Sequence, residues 1–351
     1  GNPELQFYLE GLLEKFGKRL RLFCSENLNR SFSIQELKSF VLQKSPEEVT
    51  VDSFWKECID LLLKSGRGGS ARTYKNSLSV ISQIIDLNRP FSTIGIKDLL
   101  KIETHLKQRG NNLNSIAVYL RTFRAICNRA INQDLASLDW YPFRKYKIKK
   151  EKTVPRALSL LEIQSFFQAN YPETSPFYKA WNVGRLLFLL RGINLRDLIF
   201  LKAENIRYDR IIYTRGKTGK LYSIKVTPII REILSTFTHE RQSLLGLITD
   251  DLLNHPSSSM ESRAQVTKRI NAKLKAIGNE LKLSQGLTSY VFRYSYANIA
   301  RKLGYSIDLI AESLGHSYGN KITGIYLELF DQETLDNMSQ HIESVVTNQS
   351  R

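Results

Sequence analysis

The stretch LGHSYGNKITGIY (residues 314–326) carries a histidine, a turn rich in Gly, Ser and Asn, and a tyrosine ten positions beyond the histidine. By itself it reads as a connection between two helices, because Gly and Asn supply the backbone freedom of a turn and the flanks are apolar. A second stretch stands upstream: TSYVFRYSYANIA (288–300) puts Arg293 in a helix-like run 23 residues before His316. A third, RIIYTRGKTGKLYSIKVTP (210–228), alternates with the two-residue period of strands around a Gly-rich turn and reads as a hairpin, with Lys217 at its tip. The Gly-Lys-Thr of that turn is no nucleotide-phosphate loop. The motif needs a glycine five residues before Gly216, where Ile211 stands, and it needs a strand-to-helix turn.

Composition narrows the partner. Fifty-one Lys and Arg against 34 Asp and Glu give a net charge of +17 over 351 residues, an excess suited to a polyanion. Nucleic acid comes first and an anionic membrane surface second, the latter disfavoured because the basic residues do not oppose a broad apolar face. The sequence holds no run of eighteen apolar residues and no secretory leader, so a cytoplasmic protein is expected. The chain opens on Gly1, so a processed start and further N-terminal sequence are expected. Cys24, Cys58 and Cys127 sit in apolar, helix-like contexts without zinc spacing and read as reduced core thiols.

The basic residues are concentrated. Residues 46–155 carry 19 basic groups against 11 acidic ones. Within them SARTYKNSLSVISQII begins at a cap-like Ser70, and NSIAVYLRTFRAICNRAINQ places Ile116, Leu120, Phe123, Cys127 and Ile131 on one helical face with Arg121, Arg124 and Asn128 opposite. YPFRKYKIKKEKTVPRA (141–157) then reads as an extended basic linker able to neutralise phosphates. Ser159 and Glu162 stand in capping-box order at the start of a helix, and AWNVGRLLFLLRGINLRDLIFLK reads as a strongly apolar helical stretch.

Taken singly, Arg293, His316 and Tyr326 are ordinary residues. In their order, with Lys217 ahead of them, they resemble the active site of the tyrosine recombinase (phage integrase) family, in the flavour of conjugative-transposon integrases. The block from SARTYKNSLSVI to NSIAVYLRTFRAICNRAI is similar to that family's core-binding domain, and the basic linker falls where the family joins its two domains.

The resemblance implies a mainly α fold with a small antiparallel β-sheet. Residues 1–48 would form an N-terminal helical segment, 49–150 the core-binding domain, 151–155 the end of the linker, and 156–351 the catalytic domain with a C-terminal exchange helix. It implies cleavage and rejoining of DNA strands through a 3′-phosphotyrosyl intermediate, without metal or nucleotide cofactor, for mobile-element integration and excision. Tyr326 would be the nucleophile, Lys217 the proton donor to the leaving 5′-oxygen, Arg293 a phosphate clamp, and His316 a hydrogen-bond donor to the phosphate or the holder of Tyr326 and its proton. The family's first arginine falls on Asn194. Arg191 lies one turn earlier on a continuous helix and is the expected substitute, whereas Arg196 points roughly 200° away. Tyr290 stands where the family has His or Lys, and a phenol there orients the phosphate rather than accepting a proton near neutral pH.

Arg72, Lys75, Arg121, Arg124, Lys145, Lys147, Lys149 and Lys150 are the expected DNA contacts. Duplex DNA, a dimer or tetramer of this chain on it, and accessory DNA-bending proteins are the expected partners. The amphipathic tail FDQETLDNMSQHIESVV is expected to dock on a neighbouring subunit, and the protein to associate with a bacterial nucleoid. A type IB topoisomerase-like enzyme and a non-cutting DNA-binding relic remain alternatives.

Overall fold

The computed structural model describes residues 3–27, 30–42, 49–153, 156–216, 218–237, 241–255, 260–315 and 330–348. They fall into two units, Gly1–Lys152 and Thr153–Arg351.

Unit 1 is helical: α1 (Pro3–Glu26), α2 (Ile34–Leu42), α3 (Val51–Lys64), α4 (Gly68–Ser82), α5 (Ile96–Gln108) and α6 (Leu113–Asn132). Asn112 caps α6 by accepting from the Ser115 amide, and the helical period of its apolar residues buries Ile116, Leu120, Phe123 and Cys127 as the sequence requires. Phe123 stacks on Trp55 of α3 at 5.5 Å, and these rings centre the unit's core. Two expectations are corrected. Helix α4 begins at Gly68 with Arg67 at its cap position, so Ser70 is inside the helix rather than capping it. Cys58 and Cys127 are buried thiols, but Cys24 is exposed on α1.

Unit 2 packs α7 (Leu160–Gln168), α8 (Tyr178–Leu189) and α9 (Leu195–Ile199) ahead of a sheet of β1 (Ile206–Arg207), β2 (Arg210–Thr214) and β3 (Leu221–Lys225). The sheet is antiparallel in the order β1-β2-β3, with Tyr213 opposite Tyr222. There follow α10 (Pro228–Ser235), α11 (Asp250–Asn254), α12 (Met260–Glu280), α13 (Ser289–Lys302), α14 (Ile307–Ser313) and α15 (Gln332–Thr347). Ser159 and Glu162 make the expected capping box on α7. Helix α13 runs through the core, burying Val291, Phe292, Ser295, Tyr296 and Ile299 against α8 and its neighbours. The architecture is mainly α with a small antiparallel sheet. Among the described residues no helix is long and apolar enough to cross a membrane.

The stretch from 180 to 202 is not one helix. Helix α8 ends at Leu189, Arg191 and Gly192 both adopt left-handed backbone angles (φ 54° and 63°), and Asn194 becomes the N-cap position of α9. Arg191 and Asn194 therefore do not share a helical face. The Arg191 guanidinium is buried and tied to α15, with Asp336 at 2.6 Å and the Ser339 hydroxyl at 3.0 Å. Arg210 of β2 joins the same carboxylate at 2.7 Å.

Helix α15, expected on a neighbouring subunit, is seated on its own unit. Leu335, Met338, Ile342 and Val346 fill one side of the unit 2 core, because the apolar stripe finds an apolar surface made by α7, α13 and β3 within the same chain. The Asp336 triad anchors it. Removing one partner of a buried ion pair strands the others, so Asp336→Ala is expected to cost about 3–5 kcal/mol in denaturant unfolding of the full chain, far more than a surface ion pair.

Candidate active site

Arg293 is a charged residue buried by the fold of unit 2, and its surroundings decide what it can do. Placed on the inward face of α13, it is 5% exposed. Its guanidinium donates to the Gly192 carbonyl at 2.7 Å and to the Leu314 carbonyl, and the Tyr222 phenol acts on it electrostatically. One guanidinium thus joins the α8–α9 turn and the end of α14. Two glycines make the approach. A Cβ on Gly192 would lie 2.9 Å from the Arg293 α-carbon, and one on Gly315 (φ 65°) would lie 1.8 Å from the Tyr222 hydroxyl.

A second guanidinium stands beside the first. Arg215, at the end of β2, is 8% exposed and donates to the Gly315 carbonyl at 3.4 Å. Its Nε lies 3.8 Å from the Asp197 carboxylate, and among the described residues that Nε has no hydrogen-bond partner. Burial pushes the Arg293 guanidinium below its ordinary value, Tyr222 opposes this and the Arg215 charge adds to it. The Arg293 guanidinium stays protonated near neutral pH, because an arginine starts far above it. Two buried cations set against carbonyls, with one carboxylate held off at ion-pair distance, leave a positive centre suited to an anion.

The expected site residues are placed as follows. Arg293 is at the centre. Tyr290 lies at the start of α13, half-exposed, its ring edge-on to Tyr294 at 5.1 Å, and its phenol is felt electrostatically by Arg293. Lys217, His316 and Tyr326 lie outside the described residues. Arg191, expected as the substitute clamp, is corrected: its guanidinium is spent on Asp336 and Ser339. Glu312, buried one turn before Gly315, pairs with Lys220 of the hairpin at 2.9 Å. Sequence reasoning passed over Arg215 and Tyr222. The strand period carried the signal, since residues 211, 213 and 215 share the face of Ile211, and a charge on a strand's buried face marks a site.

Unit 1 carries a separate basic feature. Arg121 and Arg124 of α6 line a cavity of about 420 Å³ with Arg144, Lys145, Lys147 and Lys150, a wall without carboxylates. Lys149, Arg72 and Lys75 are exposed outside it. The segment read as an extended linker is corrected up to residue 151, because it is fastened to unit 1. Phe143 is buried in the core, Trp140 donates to the Ile94 carbonyl at 2.7 Å, and Asn114 holds Glu151 through its backbone. Glu103 of α5 is the main fastener. This buried carboxylate takes Lys107 at 2.6 Å, Lys149 at 3.3 Å and the Tyr146 hydroxyl. Burial raises its pKa, but the hydrogen bonds from Lys107, Tyr146 and Lys149 outweigh burial and hold it at about 2. Among the described residues no group of His, Cys, Asp and Glu could hold a metal ion.

Known proteins share this fold. Residues 50–148 match the phage integrase SAM-like domain. The chain has the tyrosine-recombinase fold. A lambda integrase dimer bound to a COC′ core site is 16% identical with a TM-score of 0.56, the match covering 77% of this chain and 96% of that one. The Tn1549 transposon integrase in complex with transposon right-end DNA is 13% identical with a TM-score of 0.53, over 84% and 99% of the two chains. A lambda integrase tetramer bound to a Holliday junction is 15% identical with a TM-score of 0.57, over 87% and 83%. No curated protein matches the sequence.

The Glu103 cluster gives a pH prediction for this recombinase fold. A carboxylate held at about 2 when folded and near 4.5 when unfolded contributes stability that is present above pH 4.5 and lost as the pH falls toward 2. Urea titration of the full chain should find Glu103→Gln less stable than the parent by on the order of 2–3 kcal/mol above pH 5, the gap closing toward pH 2.

Proposed function

We propose that this chain is a site-specific DNA recombinase that cuts and rejoins strands through a 3′-phosphotyrosyl link, serving the integration and excision of a mobile element in the bacterial cytoplasm. The observation that carries the reading is the buried Arg293–Arg215 pair, set against the Leu314–Gly315 turn that leads into His316 and two residues from Lys217.

The chemistry follows from charge. In the transition state negative charge grows on the non-bridging oxygens of the scissile phosphate, and guanidinium groups fixed beforehand in a site with little water stabilise it without reorganising. Arg293 supplies one guanidinium and Arg215 the one that Asn194 lacks. The Tyr326 phenolic oxygen attacks phosphorus as the bond to the 5′-oxygen breaks. The phenol gives up its proton with help from His316, and Lys217 protonates the departing oxygen. Attack by a 5′-hydroxyl of another strand reverses these steps, so the bond energy is kept in the phosphotyrosine and no cofactor enters.

Unit 1 holds the duplex. The cationic cavity of Arg121, Arg124, Arg144, Lys145, Lys147 and Lys150 suits backbone phosphates, with Arg72, Lys75 and Lys149 as outlying contacts. Strand exchange needs more than one copy, so dimers and tetramers on DNA are the working assemblies, assisted by DNA-bending proteins. Residues 49–150 are accordingly the core-binding domain and 156–351 the catalytic domain.

The test uses a library of nicked duplexes cut from host genomic DNA, with adducts trapped under denaturing conditions and their ends sequenced. The parent chain should form a covalent adduct at recurring sites and Tyr326→Phe none. Arg293→Ala and Arg215→Ala should each slow adduct formation by about 10²–10³-fold, the cost of removing one transition-state donor. Lys217→Ala should be slow on normal DNA and restored by a 5′-bridging phosphorothiolate, whose thiol leaves without a proton. No adduct from the parent chain on any fragment would leave a DNA-binding protein that does not cut.

A further inference from the structure

Tyr222 is a buried phenol for which the mechanism above has no use. It stands on β3, 7% exposed, its ring stacked on Tyr213 at 5.0 Å and 14°. Packing alone would be served by phenylalanine. The hydroxyl, however, is placed between two parts of the site: it lies within electrostatic reach of the Arg293 guanidinium, and it rests where any side chain on residue 315 would have to go. Gly315 also receives the Arg215 donor on its carbonyl, and the Leu314 carbonyl receives Arg293. The contacts of Tyr222, Arg293 and Arg215 thus converge on a single turn.

We infer that Tyr222 is a positioning residue of the phosphate clamp, its hydroxyl fixing the Arg293 guanidinium and the Leu314–Gly315 turn in one register. The inference rests on the function proposed above and adds to it a residue that the active-site sequence motif does not contain. A phenol suits the task. It accepts from a guanidinium as a neutral group, so it orients the cation without cancelling the positive charge that the phosphate needs. A carboxylate in its place would pair with Arg293 and compete with the substrate. Burial raises the Tyr222 phenol above its ordinary value while the nearby Arg215 and Arg293 charges oppose that rise. A hydrogen bond that holds a clamp within the range of productive geometry affects the chemical step far more than binding, since DNA affinity is spread over many phosphates.

The experiment compares the full chain with Tyr222→Phe, which keeps the stacked ring. Single-turnover adduct formation on a trapped cognate fragment should fall about 10-fold or more. Affinity for the same fragment should stay within about two-fold, and the melting temperature should move by no more than loss of a single hydrogen bond allows. In parallel, ¹⁵Nε-arginine NMR of the DNA-free protein should show the slowly exchanging Arg293 side-chain signal broadened or lost in the variant. An unchanged cleavage rate overturns the inference, as does a slowing matched by an equal loss of DNA affinity or a large drop in melting temperature. The NMR arm separates the two readings. If the parent forms no adduct at all, the proposed function fails, and loss of the Arg293 signal supports the positioning role while an unchanged signal overturns it.

Discussion

Burial of the Arg293 guanidinium against main-chain carbonyls is the constraint on which unit 2 depends. A charge removed from water is costly unless its donors are met, and here the Gly192 and Leu314 carbonyls accept from it out of separate parts of the chain. Satisfying that group fixes the α8–α9 turn and the end of α14 relative to α13. The glycines at 192 and 315 follow from the same demand, because side chains there would collide with Arg293 or Tyr222. Carbonyls meet the Arg293 donors without bringing an opposite charge of their own.

The hairpin completes that field. Its strand alternation sends Tyr213 and Arg215 to the buried face and, across the ladder, Tyr222 beside them, so a guanidinium reaches the Gly315 turn from the end of β2, while Asp197 of α9 lies 3.8 Å from its Nε. A guanidinium needs no particular element to carry it, only a rigid one, and a short twisted ribbon braced by the Lys220–Glu312 and Arg210–Asp336 pairs is rigid enough. Arg191 meanwhile secures α15, the helix that follows the expected nucleophile in the chain.

Much of this was legible in the sequence. The hairpin around Gly216, the capping box at Ser159 and the apolar face of α6 are local signals, set by period and by turn chemistry. What escaped was long-range. The break after Leu189 depends on a left-handed Arg191 that propensity does not foresee, and only tertiary contact with Asp336, 145 residues away, makes that conformation worthwhile. The 141–151 segment read as a loose linker because lysines repel each other and resist folding. A buried Glu103 on an earlier helix reverses that, and no pattern within the segment announces its partner. The fold of the C-terminal helix back onto its own unit is likewise invisible in an amphipathic stripe, which states that a face must be covered but not by which surface.

The central claim is that the fold presents one phenol to a phosphodiester held by buried guanidinium groups. Mass spectrometry of tryptic peptides from the trapped protein–DNA adduct tests it most directly, by locating the amino acid that carries the nucleotide and the end of the strand it holds. The account predicts the nucleotide on Tyr326, joined to a 3′-phosphate, with a free 5′-hydroxyl on the released strand. A nucleotide on any other side chain, Tyr290 or Tyr222 included, or a link to a 5′-phosphate, would contradict it.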